Sequence, residues 1–313
     1  MRFYFLGIAG AGMSALASVL ASEGHQVSGS DDGVFPPVSD YLDRMGIPWR
    51  AGFDTAEIPL GLDAAIIGSS AKLDLDHNPE LAEIERRGVP RYSLAEFLGR
   101  HTQGRDNIVI AGSFGKSTLT ALVAVLMRQA GRDPGYFIGA VPLDLAATGH
   151  AGSDPAFLIE GDEYVIGPHD QRPKFALYHP RSVLISSLVH DHLNVYPTLE
   201  SYQAAFASLI NALPTDRLLI CADDYPRLHA LTEGRAVTWY GLGAGDGYRA
   251  EQIVVGEITR FDLVTPGGAR LALETQLLGL HNIEISSAQP LWCWNAATST
   301  PRRCAPGWRN SAA

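Results

Sequence analysis

A chain of 313 residues, 46% hydrophobic and 19% charged, is long enough for two domains and has the balance of an ordinary globular protein. Its formal net charge of −10 excludes broad nucleic-acid binding, which needs a basic surface to displace counterions from phosphate. Cys221, Cys293 and Cys304 lack the spacing of a disulfide framework or zinc site, and glycines interrupt the apolar N-terminus where a signal peptide needs its core. No apolar run reaches the roughly 18 residues of a membrane span, so a cytoplasmic protein without membrane insertion is expected.

Residues 2–6 read as a buried strand, followed by a glycine turn and an Ala/Leu-rich helix to residue 22. Residues 26–30 form a second strand ending at Asp31 and Asp32, residues 64–68 a third, and residues 79–87 a helix. This alternation is the βαβ rhythm of a parallel, doubly wound sheet. The polar stretch HTQGR at 101–105 marks a domain boundary. A strand at 107–111 then enters a second glycine loop and a helix at 116–129, followed by strands at 157–160, 182–186 and 217–221 and a helix at 199–212. The expectation is two consecutive α/β domains, 1–103 and 104–285, and an aberrant tail, 286–313.

From Gln289 the pattern fails, and Trp292, Cys293, Trp294, Cys304 and Trp308 crowd into a stretch without periodicity. The codons of Trp292-Cys293-Trp294-Asn295 are nearly fixed, and one frame over they encode Val-Leu-Glu. That favours a frameshift over an odd but genuine tail, and a gene whose neighbouring frame has no long open continuation would refute it.

Two glycine loops carry the chemistry. The first, Gly7-Ile8-Ala9-Gly10-Ala11-Gly12-Met13-Ser14, lies between strand and helix, where backbone N–H groups and the helix dipole meet phosphate. Its G-x-x-G-x-G spacing differs from the dinucleotide fingerprint, although Asp31 sits about 20 residues on, at the place of a ribose-binding acid. Taken alone, this loop leaves a dehydrogenase or a purely structural turn open. The second loop, Gly112-Ser113-Phe114-Gly115-Lys116-Ser117-Thr118, keeps the working parts of a nucleoside-triphosphate loop. Gly115 lets backbone approach phosphate, Lys116 supplies a point charge and Ser117 a hydroxyl for magnesium. Farther on, Glu160, Asp162 and Glu163 end an apolar strand, where carboxylates suit a hard cation, and His190-Asp191-His192 follows another.

Together the two loops resemble the Mur ligase family, in which G-I-x-G-x-G-M-S is followed by G-[ST]-x-G-K-[ST]-[ST]. The resemblance covers residues 1–284. It implies a Rossmann-like UDP-binding domain, then a P-loop central ATPase domain, with the family's C-terminal ligase domain missing. It also implies ATP and Mg²⁺ as cofactors, with UDP-N-acetylmuramate and a small peptide or amino acid as substrates. Gly10, Ala11, Gly12, Met13, Ser14, Asp31, Ser69, Ser70 and Asn78 would meet the UDP-sugar. Gly112, Ser113, Gly115, Lys116, Ser117, Thr118, His281 and Asn282 would meet the nucleotide. Ser117, Glu160 and His192 would hold the metal, with Glu163 second to Glu160, and Lys116, Glu160 and His192 would be catalytic.

Residues 170–175, DQRPKF, with Tyr178 and Pro180-Arg181, resemble the D-x-R-S-K-F-x-x-Y-x-P-R segment of the recycling branch. That branch attaches L-alanyl-γ-D-glutamyl-meso-diaminopimelate to UDP-N-acetylmuramate. The alanine-adding branch and a truncated, non-catalytic binding module are the alternatives. The chain departs from the family pattern at Val165, Pro173, Ser187, Val189, Asn194 and Ile285.

Overall fold

The computed structural model describes residues 1–69, 75–167, 170–243, 245–277 and 279–287; Ser70 and nearly all of the expected tail lie outside them. The first unit runs β1 (Arg2–Leu6), α1 (Ala11–Ser22), β2 (Gln26–Asp31), α2 (Val38–Arg44), β3 (Trp49–Ala51), β4 (Ala64–Ile67), α3 (Pro79–Arg86), β5 (Arg91–Ser93) and α4 (Leu94–His101). Its strands lie in the order β3-β2-β1-β4-β5, every neighbour parallel. Chain order reverses direction beside β1, which opens a crevice at the carboxyl ends of the strands.

The second unit begins with β6 (Asp106–Ala111), α5 (Lys116–Gln129), β7 (Gly135–Phe137), β8 (Gly149–His150) and β9 (Ala156–Gly161). A small ribbon follows, β10 (Val165–Gly167) and β11 (Asp170–Pro173), then β12 (Ser182–Ile185), α6 (Leu199–Ala212), β13 (Leu218–Ala222), α7 (Pro226–Leu231) and β14 (Thr238–Gly241). The described chain closes with β15 (Tyr248–Val254), β16 (Thr259–Val264), β17 (Arg270–Thr275) and α8 (Leu280–Ser287). These strands form one sheet, β17-β16-β15-β14-β13-β12-β6-β9-β7-β8, parallel from β15 to β7 and antiparallel at both margins.

The central strands are aliphatic along their length because helices cover both faces of a parallel sheet. Ile108, Val109 and Ile110 of β6 and Leu158 and Ile159 of β9 are all buried. Local signals fix the helix starts. Ser93 and Glu96 make a reciprocal capping box on α4, and Asn78 caps α3 ahead of Pro79. Among the described residues, no helix is long and apolar enough to cross a membrane.

The polar segment 101–105 is a docked joint. Arg105 donates to the carbonyls of Ala151 and Asp154, both at 2.5 Å, and its guanidinium lies 4.8 Å from the ring centre of Phe157. The two units also share a seam. A Cβ at Gly149 of β8 would collide with the Ala15 carbonyl of α1, and one at Gly99 of α4 with the Leu177 carbonyl. The Tyr41 hydroxyl accepts from Thr148 N at 2.9 Å and Thr148 Oγ1 at 2.7 Å, across the same seam. One buried cluster therefore runs from Phe3 and Leu16 in the first unit to Phe157 and Phe175 in the second.

Candidate functional site

β6 delivers the chain to the second glycine loop at the carboxyl edge of the large sheet. Gly112 and Gly115 have φ of +145° and +80°, conformations that a side chain resists. Gly115 is the N-cap of α5 and provides no side-chain cap, so the first N–H groups of the helix remain for an anion. The loop is stitched to the exit of β12: Phe114 N donates to Ser187 Oγ at 3.0 Å, and Ser186 Oγ donates to the Phe114 carbonyl at 2.6 Å. Ser113 Oγ accepts from Val189 N at 2.8 Å and from the Tyr202 hydroxyl at 2.9 Å. Ser187, a departure from the family pattern, thus holds the phosphate loop directly.

β9 runs parallel to β6 with Glu160 level with Ile110, which puts its carboxylate beside the same loop. Glu160 accepts from Ser117 Oγ at 2.9 Å and from Gly139 N at 2.7 Å. Burial pushes its carboxyl above the usual range, despite those bonds. Glu163 has no exposed surface and accepts two hydrogen bonds from Lys116 Nζ, at 3.0 Å on Oε1 and 2.9 Å on Oε2. Lys116 also donates to the Gly112 carbonyl at 2.7 Å. His192 Nε2 lies 3.1 Å from Glu163 Oε1, its backbone in the left-handed region at φ +53°, and its ring meets Tyr164 edge-on at 5.3 Å. Asp162 is only half-buried; partial desolvation raises its pKa, but the Lys174 ammonium at 2.7 Å and the bond from Tyr164 N outweigh it and keep the carboxyl below its ordinary value.

The sequence-derived residues therefore fall into two linked groups, Ser117 with Glu160, and Lys116 with Glu163 and His192. Glu163, ranked second from the sequence, is the point where lysine and histidine converge. Nothing in its spacing set it above Glu160, because burial and the turn at 190–196 create the convergence. Tyr202 was not singled out at all, since its place on an amphipathic helix reads as core. Thr118 is exposed on α5, while His281 and Asn282 open α8, with the His281 ring against Gly279.

The first loop is built by different means. Ser30 O accepts from Gly7 N at 2.8 Å and Ile8 N at 3.1 Å, and Asp31 Oδ2 accepts from Ala9 N at 2.9 Å. Gly10 caps α1 without a side chain, leaving Ala11 and Gly12 at an open helix start, while Met13 and Ser14 are buried behind them. A Cβ on Gly12 would sit 3.3 Å from the Phe137 ring of the second unit. Ser69 is exposed beyond β4; Asn78 is buried, with its side-chain oxygen accepting from Leu81 N at 2.9 Å. Beneath this loop, buried Glu80 accepts from the Tyr4 hydroxyl at 3.0 Å, Ser30 Oγ at 2.5 Å, Asp54 N at 2.8 Å and the Arg50 guanidinium.

Fold and loops together define a two-unit α/β protein with a glycine loop of the P-loop type in its second unit. The chain belongs to the Mur ligase family: the profile "Mur ligase family, catalytic domain" matches residues 2–105, and "Mur ligase middle domain" matches residues 110–285. It is 28% identical over 90% of its length to the UDP-N-acetylmuramate–L-alanyl-γ-D-glutamyl-meso-2,6-diaminoheptandioate ligase of Escherichia coli, covering 62% of that protein. It is 32% identical over 90% of its length to the UDP-N-acetylmuramate–L-alanine ligase of Arthrobacter, covering 58%. The chain thus spans about three fifths of these relatives. A crystal structure of the UDP-N-acetylmuramate:L-alanyl-γ-D-glutamyl-meso-diaminopimelate ligase from Neisseria meningitides superposes with a TM-score of 0.78 at 26% identity, covering 96% of this chain and 99% of that one. The alanine ligase of Thermotoga maritima shares the fold, with a TM-score of 0.75 at 22% identity, over 93% of this chain and 64% of that one. The expected family and its first and middle domains are borne out.

Proposed function

We propose that this chain carries the UDP-sugar and ATP sites of an ADP-forming ligase of cell-wall recycling. It would join the carboxylate of UDP-N-acetylmuramate to the amine of L-alanyl-γ-D-glutamyl-meso-diaminopimelate. The observation that carries this reading is the convergence of Lys116, Glu163 and His192 beside the Ser117–Glu160 pair at a P-loop, in a chain that also presents an open helix start at Gly10. The units proposed are 1–103 for the UDP-sugar and 104–285 for ATP, within a cytoplasmic enzyme.

Ser117 Oγ and Glu160 Oε1, 2.9 Å apart, are hard oxygen donors of the kind magnesium takes. Ser117 and Glu160 would hold the ion, while His192 stands at Glu163, 3.1 Å from its Oε1. Magnesium bound there supplies charge neutralisation at the transferring phosphoryl group. The N–H groups of the loop and of α5 hold the triphosphate, and Lys116 carries its charge to the phosphate side while Glu163 and His192 orient it. The muramoyl carboxylate displaces ADP from the γ-phosphorus and becomes an acyl phosphate. The incoming amine, as its free base, attacks the acyl carbon, phosphate leaves, and the amide forms with loss of the amine proton.

The DQRPKF ribbon beside Glu163 supports the tripeptide as the amine, whereas the 32% identity to an alanine ligase supports L-alanine as the alternative. ADP formation with Mg-ATP and UDP-N-acetylmuramate, with tripeptide or L-alanine added in turn, separates the two. Binding of both nucleotides without turnover under either condition identifies a non-catalytic binding module instead.

A further inference from the structure

Lys116 Nζ has three protons, and all three are engaged: with the Gly112 carbonyl at 2.7 Å, Glu163 Oε1 at 3.0 Å and Glu163 Oε2 at 2.9 Å. The ammonium reaches a phosphate only by giving up one of them. Glu163 has no exposed surface, so a bond taken from it leaves carboxylate charge away from the water that would replace the donor. A second donor stands beside it. The Tyr202 hydroxyl lies 2.9 Å from Ser113 Oγ and, at the far limit of a hydrogen bond, 3.5 Å from Glu163 Oε1. It has one proton for these two acceptors, and the nearer one takes it. The Tyr202 ring is buried and packs against Tyr196 and Phe206, with ring centres 5.3 and 5.2 Å away, so the O–H bond is what remains to turn. Burial and the Glu163 charge both raise the pKa of this hydroxyl, which therefore keeps its proton and acts as a donor. Ser113 does not depend on it alone, because Ser113 Oγ also accepts from Val189 N at 2.8 Å and donates to the Val189 carbonyl at 2.7 Å.

We propose that Tyr202 is a positioning residue that turns its O–H from Ser113 to Glu163 Oε1 when Lys116 moves to the phosphates, an inference that rests on the proposed binding of ATP at the second loop. In the free protein Lys116 and His192 satisfy Glu163 Oε1, and the Tyr202 proton serves the glycine loop. In the complex Lys116 transfers its Oε1 bond to phosphate, and Tyr202 takes the place it leaves. The lysine is thereby released from a buried counter-ion without leaving that counter-ion short of a donor. Tyr202 reaches the phosphates only through Glu163 and Lys116, and its hydroxyl decides how readily the lysine lets go.

The test is the calorimetric affinity for Mg-ATP of the full chain, Tyr202→Phe, Lys116→Met and the double variant. Tyr202→Phe is expected to weaken ATP roughly tenfold, the net of a charged hydrogen bond lost in the complex and a neutral one lost in the free protein. With Lys116→Met the carboxylate needs Tyr202 both with and without ATP, so adding Tyr202→Phe is expected to change the affinity by less than about twofold. A role confined to packing or to shaping the loop gives the same loss in both backgrounds, and that result overturns the proposal. Unimpaired binding by Tyr202→Phe overturns it too, while the second-loop reading stands. Wild-type protein that does not bind ATP overturns the second-loop reading and this inference with it. A 3-fluorotyrosine placed at position 202 reads the hydroxyl with the fold intact. Its fluorine resonance is expected to shift on saturation with Mg-ATP, and a resonance that ATP leaves unmoved overturns the proposal even where Tyr202→Phe fails to fold.

Discussion

Glu80→Ala removes the buried carboxylate on which β1, β2 and α3 converge. Four donors lose their acceptor: the Tyr4 and Ser30 hydroxyls, Asp54 N and the Arg50 guanidinium. Breaking one partner of a buried ion pair costs about 3–5 kcal/mol, because the surviving charge is left without its counter-ion. The Arg50 side chain keeps 27% of its surface in water and can partly rehydrate, so the low end, about 3 kcal/mol, is expected. The shared core makes both units unfold together, and a cooperative unit of that size loses roughly 1.5–2 °C per kcal/mol, which predicts a fall in Tm of about 5–6 °C. Glu80→Gln keeps the shape and one carbonyl acceptor and should lose about half as much. Calorimetric melts of the three proteins measure this. A fall of under about 1 kcal/mol for Glu80→Ala would refute the assigned role of the carboxylate, and a melt split into two steps would refute the shared core.

Gly149→Ala drives a methyl group into the Ala15 carbonyl, a clash with backbone that no rotamer relieves, and should cost about 1–3 kcal/mol in urea unfolding. Lys116→Met should lower kcat for ADP formation by about 10²–10³-fold without changing the far-ultraviolet circular dichroism, since the lysine charge acts on the transferring phosphoryl group. Glu284 has its pKa pushed up to about 7, by burial first and by Asp224 second. The folded state then holds its proton more tightly than the unfolded chain. The contribution is full below the ordinary value of 4.5 and is lost as pH rises to about 7. That amounts to roughly 3 kcal/mol across the window, so Glu284→Gln should flatten the dependence of stability on pH between 5 and 7. Denaturant midpoints taken at half-unit intervals of pH decide it.

Much of the architecture was legible because burial on both faces writes itself as aliphatic runs, as at 107–111 and 157–160, and because Gly-Lys-Ser after such a run has few other uses. The helices at 116–129 and 199–212 have the expected bounds, the latter set by its Thr198 and Ser201 capping box. The short strands β3 and β5 and the marginal strands β15 to β17 were not legible. Edge and antiparallel strands alternate polar and apolar residues, and three-residue strands carry too little pattern to read. In the site, residue types were legible and pairings were not. Lys116 meets Glu163 only because β9 lies beside β6, and His192 reaches it only through a turn with left-handed backbone. The joint at 101–105 reads as a linker because its residues are polar, yet His101 pairs with Glu23 of the first unit and Arg105 donates to carbonyls of the second.

The seam between α1 and β8 makes a gauge of the molecule. Where Gly149 meets Ala15 and Gly99 meets Leu177, main chain rests on main chain, and there is no side chain between them to yield. The distance from the open start of α1 to the start of α5 is thereby held by the least compressible contacts a protein has. On the proposed reading, a pyrophosphate held at one end and a phosphoryl donor at the other leave a span that the sugar and its lactyl arm must bridge. A substrate one bond shorter or longer in that arm would be bound at both ends and still miss, so that length itself becomes a means of selection.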